Sequence, residues 1–232
     1  LFTVIVFFLF RKYRIIQKHK SLELEQRLLR LQMNPHFIFN AISGIQGYIT
    51  DNKPLEASSY LSEFARLMRS VLMSSSKEFI ILEDEIQLIE YYLKFQQLRF
   101  PEKMLFNIIV DESLETDELA IPPMLVQPFI ENAVIHGIAK KEEGTGTIEV
   151  NISQVQNSIK LTVLDNGSGI SSKGQKNKKH TSMATDITYS RIENFRRSYK
   201  QKVKFEVGNR INEAGEIVGT QVLFELPIMY IN

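Results

Sequence analysis

The sequence predicts two unlike parts in series, an α-helical hairpin followed by an α+β sandwich, and three observations carry that division. Up to about Arg99 apolar residues recur three and four apart, the spacing of helices that bury one face. After Pro101 they fall into short alternating runs bounded by Gly, Asn and Asp, the spacing of strands. The length, 232 residues, suits one large or two small domains, with enough buried surface for a core.

Charge excludes some roles at once. With 28 Lys and Arg against 27 Asp and Glu, the net charge of +1 gives no overall field for nucleic acid or an acidic substrate. The chain has no cysteine, which rules out disulfides and thiolate chemistry.

The first ten residues, LFTVIVFFLF, are almost wholly apolar and run straight into RKYR. As a helix they would span roughly 15 Å, about half of a hydrocarbon core. Residues 1–11 are therefore expected to be the trailing half of a transmembrane helix, with Arg11, Lys12 and Arg14 on the cytoplasmic side. A buried strand or core helix is the alternative. Beyond it Leu24, Leu28, Leu31, Ile38, Ile42, Ile45 and Ile49 fall alternately four and three apart, with Pro35 in the one missing slot. That seam predicts a juxtamembrane coiled-coil helix over 12–34 that continues, kinked at Pro35, into a bundle. The same phase sets His36 beside the seam, in a stripe with Asn40, Ser43, Gly44 and Gly47 that a second body could approach closely.

Asp51-Asn52-Lys53-Pro54 is a turn signal. A second helix should follow, with Leu61, Ala65, Met68 and Leu72 on one face. One hairpin is half of a four-helix bundle, so a homodimer is expected to complete the core over 35–100. A further helix over 83–99 should end at Phe100-Pro101. The second domain is expected over 101–232: a strand at MLFNIIVD, and a helix opened by prolines at IPPMLVQPFIENAVIHGI. A β-hairpin should turn at Gln156-Asn157, followed by a polar loop, a helix over 185–199, and a closing pair at KVKFEVGN and TQVLFELPI.

Three motifs in that domain invite chemistry. Glu131, Asn132, His136 and Gly137 share one helix, with Asn132 and His136 a turn apart. Polar groups on an otherwise apolar helix need a partner or a site, and an Asn carbonyl beside a carboxylate suits magnesium. A capped helix end is the plain alternative. Asp165-Asn166-Gly167-Ser168-Gly169-Ile170 follows an apolar strand, where a carboxylate can accept a purine amine and glycines permit unusual backbone. Alone, such a string is often only a turn. Gly219-Thr220, at the head of the last strand, says almost nothing alone.

In this order and spacing, ENAVIHG and DNGSGI resemble the ATP-binding domain shared by histidine kinases, gyrase, Hsp90 and MutL. NPHFIFN, PPMLVQPFIENAVIHG and YYLKFQQLRF resemble, more narrowly, the LytS-type sensor histidine kinases. The resemblance covers the chain from about Leu24 onward. It implies a dimeric four-helix bundle followed by an α+β ATP-binding sandwich, with His36 accepting the γ-phosphoryl group of ATP. It also implies that Asn132 ligands Mg2+ and that His136 sits inside the nucleotide motif. Asp165 would contact adenine, Gly167 and Gly169 would hinge a lid, and Gly219-Thr220 would close the pocket. The imidazole chemistry agrees, because neutral histidine is a nucleophile near physiological pH. Phosphoryl transfer asks mainly for positioning and charge neutralisation.

Three departures qualify the resemblance. Phe37 stands where many histidine kinases carry an acid after the acceptor, so no adjacent base is visible. Asn40 could orient the ring but is no base, and Glu131 is a candidate only if the domains dock to bring it near. The ATPases of this fold place a catalytic Glu one turn before the magnesium Asn, where this chain has Gln127-Pro128. That favours transfer to a side chain over transfer to water. The end of the lid, Thr181-Ser182-Met183-Ala184-Thr185, lacks the expected glycines. The resulting expectation is a membrane-anchored kinase that autophosphorylates His36 and passes the phosphoryl group to an aspartate of a response regulator, one with a LytTR-type DNA-binding domain. A catalytically degenerate nucleotide-binding scaffold is the alternative.

Overall fold

A computed structural model describes residue 11, residues 35–75, 77–139, 141, 144–170, 192, 193, 196 and 203–231. Residues 1–10, the 12–34 coiled coil and the 171–185 loop lie outside the described residues, as does most of the 185–199 helix. Among the described residues no helix is long and apolar enough to cross a membrane.

The chain divides into two compact units on either side of Leu61. The first contains helix α1 (Pro35–Thr50) and the start of α2 (Pro54–Ser75). The turn between them forms as its residues require. Asn52 takes a left-handed conformation (φ 58°), and the Lys53 N–H reaches back to the Tyr48 carbonyl at 2.9 Å. This is the usual way to close the last turn of a helix. Pro54 then opens α2, where its fixed φ and missing N–H cost nothing. The two helices approach closely at Gly44, where a Cβ would stand 2.8 Å from the Tyr60 hydroxyl. Gly44 thus leaves the stripe assigned to a second body, whereas Gly47 meets nothing within 4 Å. The seam itself is only partly covered: Ile42 is 45% and Ile49 63% exposed. On α2, Ala57, Tyr60 and Leu67 are buried, while Leu61 and Leu72 of the expected apolar face stand open.

The second unit is built on a five-stranded mixed sheet, β2 (Met104–Val110), β4 (Gly146–Val155), β5 (Ser158–Asp165), β7 (Ile217–Pro227) and β6 (Lys204–Ile211), in that spatial order. β2 runs parallel to β4, and every other pair is antiparallel. The β4–β5 hairpin turns at Gln156, at φ 55°, between the paired Val155 and Ser158. Alternation places Ile148, Val150 and Ile152 of β4 inside with Leu161, Val163, Val222, Phe224 and Leu226. Helix α4 (Gln127–Asn132) lies on this face through Phe129, whose ring meets those of Phe205 and Phe224 at 5.3 and 5.6 Å.

Helix α3 (Leu82–Arg99) belongs to the sheet unit. The short strand β1 (Ile80–Ile81) pairs with β3 (Ala120–Ile121), and the Leu82 N–H donates to the Leu119 carbonyl at 2.8 Å. The unit that holds the sheet therefore begins well ahead of Pro101, where the change in sequence texture places the boundary. Hydrogen bonds and burial at 80–85 tie α3 to residues some forty positions later, a link that periodicity does not register.

Candidate nucleotide site

Three motifs that are far apart in sequence converge beside the C-terminal end of β5. The ENAVIHG helix changes pitch right after Asn132: residues Ala133–Ile138 form a π-helical turn that contains His136 and Gly137. Such widened turns in α-helices are frequent at functional sites. Gly137 then faces the DNGSG loop. A Cβ there would lie 3.4 Å from Asp165 Oδ1, and one on Gly167 would lie 2.4 Å from the Gly137 Cα. Here glycine serves close backbone approach.

Asp165 is buried at the end of β5. Its Oδ1 accepts the Gly167 N–H at 2.8 Å and the Thr220 N–H at 3.3 Å, so the carboxylate is oriented by two of the three motifs. Gly219, at φ 145°, passes so near that a Cβ would stand 1.9 Å from the Asp165 carbonyl oxygen. Arg210, opposite Gly219 on β6, donates from Nη1 to that same carbonyl at 2.9 Å.

The rest of the loop is pinned on both sides. Asn166 accepts the Thr147 N–H at 2.7 Å and donates to the Thr145 carbonyl at 3.0 Å, which fixes it to the head of β4. Lys141 Nζ donates to the Thr145 and Asn166 carbonyls, each at 3.3 Å. Beyond it Gly169, at φ 71°, packs under Ile217 and Asn209. The Asn209 side chain brackets Ile170, with Oδ1 accepting its N–H at 2.6 Å and Nδ2 donating to its carbonyl at 3.2 Å.

Of the residues expected in the site, Asp165, Gly167, Gly169, Gly219 and Thr220 are thus brought together, with Gly137 of the helix motif against them. Asn132 is half-buried at the junction of α4 and the π-helical turn. Glu131 is half-buried; burial raises its pKa, and the 3.3 Å hydrogen bond from Gln127 Nε2 offsets this in part. Its charge also bears on Tyr92 of α3, whose pKa is pushed well up, first by burial and then by Glu131. His36 and Asn40 lie on α1, in the other unit. Lys141, Asn209 and Arg210 escape a reading of the sequence, because a Lys in a loop and an Asn-Arg pair in a strand carry no motif of their own. Among the described residues no group of three or more His, Asp or Glu could hold a metal ion.

A site helix lies on a mixed sheet and a helical hairpin precedes both in the chain, the arrangement expected of a histidine kinase. Residues 24–104 match the family model described as histidine kinase. The chain is 32% identical to the sensor protein LytS of Oceanobacillus iheyensis over 68% of its length and 26% of that protein. It is 32% identical to the sensor histidine kinase YpdA of Escherichia coli over 64% of its length and 26% of that protein. The LytS of Staphylococcus saprophyticus is 31% identical over 88% of this chain and 34% of its own length. These similarities support a LytS-type histidine kinase. It spans about a quarter to a third of the length of the relatives it matches.

Proposed function

We propose that this chain is the cytoplasmic part of a membrane-anchored protein histidine kinase that binds ATP with magnesium and autophosphorylates His36. The observation that carries this reading is the orientation of Asp165. Its Oδ1 is held by the Gly167 and Thr220 amides. A carboxylate has a second oxygen to accept an exocyclic amine, so this buried, aimed group fits the adenine of ATP. The glycine contacts at Gly137, Gly167 and Gly219 keep side chains out of the same place.

Asn132 offers an amide oxygen where the helix widens, and oxygen donors suit Mg2+. When bound, the ion neutralises charge on the phosphate oxygens. The chain's own residues bind and orient. Asp165 fixes the base, Gly219-Thr220 and Gly169 shape the pocket, His136 lies in the π-helical turn beside Gly137, and His36 supplies the attacking imidazole nitrogen. The γ-phosphorus–oxygen bond to ADP breaks as the nitrogen–phosphorus bond forms. The phosphoryl group then passes to an aspartate of a response regulator of LytTR type. Homodimerisation through α1 and α2 is supported by the apolar residues those helices leave exposed, among them Phe39, Ile49, Leu61 and Leu72. The base that takes the imidazole proton is not assigned to Asn40 or Glu131. Glu131 lies in the sheet unit, where Gln127 Nε2 donates to it at 3.3 Å.

Incubation with γ-labelled ATP and magnesium tests the proposal. Acid-labile, base-stable label that is lost in His36→Gln supports it. Nucleotide binding without label would instead support a degenerate scaffold, and ATP turnover that survives His36→Gln would mark a hydrolase.

A further inference from the structure

Helix α3 has no part in the reaction above, yet it holds the segment that leads into the helix carrying Asn132. Glu85, in its first turn, is fully buried. Its Oε2 accepts the Met124 N–H at 2.8 Å and its Oε1 the Leu125 N–H at 3.1 Å. These amides precede Val126, the residue at the head of α4, whose start has no side-chain cap of its own. Met124 also stands at φ 55°, a conformation that residues with a Cβ adopt only at a cost. A carboxylate accepting two successive N–H groups offsets that cost and pins the chain just ahead of the helix.

Two further polar residues lie along the same stripe of α3. Tyr92 and Gln96 follow Glu85 by seven and eleven residues, close to about two and three helical turns, so the three share a face. Tyr92 is buried, and Glu131, next to Asn132, lies near enough for its charge to act on it. The head of α3 is fixed in turn by the Leu82 and Glu83 N–H groups, bonded to the Leu119 and Thr116 carbonyls.

We propose that Glu85 is a positioning residue for the nucleotide site: by holding the Met124–Leu125 turn from α3 it sets where α4 begins and so where Asn132 presents its amide. The inference rests on the nucleotide-binding reading given above. Both oxygens matter. The isosteric amide of Glu85→Gln keeps one acceptor and turns an N–H against the second backbone N–H.

The experiment compares binding of AMP-PNP with and without magnesium by calorimetry, in the unsubstituted chain and in Glu85→Gln. Both are held well below their unfolding midpoints. The expected result is loss of the magnesium-dependent gain in affinity on the order of tenfold, as for other groups that orient a metal ligand, while metal-free affinity stays within about twofold. A lower unfolding midpoint with the magnesium-dependent gain intact would make Glu85 a core residue only and overturn the inference. Amide exchange of Met124 and Leu125 in the unsubstituted protein tests the two Glu85 hydrogen bonds even where Glu85→Gln does not fold. Exchange as slow as that of the central strands is expected, and loop-like rates would overturn the inference. Failure of the unsubstituted protein to bind Mg-AMP-PNP would sink the nucleotide reading itself, a result distinct from an unaltered gain in Glu85→Gln.

Discussion

Gly137 and Gly167 meet backbone to backbone, so closely that a methyl group on Gly167 would lie 2.4 Å from the Gly137 Cα. That contact joins the helix of the first motif to the loop of the second. The two glycines are not equivalent, because a Cβ on Gly137 would come no nearer than 3.4 Å to its neighbours. Gly167→Ala should destabilise the sheet unit by about 1–3 kcal/mol and abolish measurable nucleotide binding. Gly137→Ala should fold with a melting temperature close to that of the unsubstituted chain. Thermal melts and nucleotide titration of both variants check the pair.

Asn209 holds both backbone polar groups of Ile170. Asn209→Ala removes two hydrogen bonds at a part-exposed position, a loss of about 1 kcal/mol net. If Gly169 and Ile170 shape the nucleotide pocket, affinity should fall roughly fivefold with little change in melting temperature. Unaltered affinity in calorimetry would remove Asn209 from the site.

Glu131 gives a pH signature. Its folded-state pKa lies above the ordinary value of 4.5, chiefly through burial. Its contribution to stability is therefore fully present below that ordinary value and is lost as pH rises through the folded one. Glu131→Gln cannot ionise and still offers an oxygen to Gln127. It should match the unsubstituted chain in acid and melt higher at neutral pH. A melting difference that does not vary with pH would contradict the burial.

Two glycines of α1 should respond in opposite directions. At Gly44 a Cβ meets the ring and hydroxyl of the buried Tyr60 within 3.1 Å. Gly44→Ala should push the helices apart and destabilise by about 1–3 kcal/mol. Gly47 has open space around it and sits in a helix interior, so Gly47→Ala should stabilise by about 1 kcal/mol through helix propensity. Thermal melts of the two variants distinguish the cases.

Local rules make much of the fold legible. The β4–β5 hairpin turns at Gln156 as expected because apolar residues alternate on both sides of it, and a shift of one residue would turn Ile148, Val150 and Ile152 out to water. The Asn52-Lys53-Pro54 turn is equally plain, because each residue has a backbone preference that acts without tertiary help. The partition at Pro101 is less so. Glu85 is an acid among other acids in a first helical turn, and only the fold reveals that the Met124 and Leu125 amides need it.

The sequence by itself determined the helical hairpin, the mixed sheet, and the identity of the three motifs, since periodicity, turn chemistry and glycine placement are local properties of a chain. Tertiary structure decided the site. The Gly137–Gly167 contact, the Thr220 amide on Asp165, and the Arg210 and Asn209 anchors all depend on distances between residues up to 55 positions apart. Such distances exist only once the sheet has closed around its core, because hydrogen bonds and close backbone contacts act over a few ångströms and leave no periodic trace in the chain.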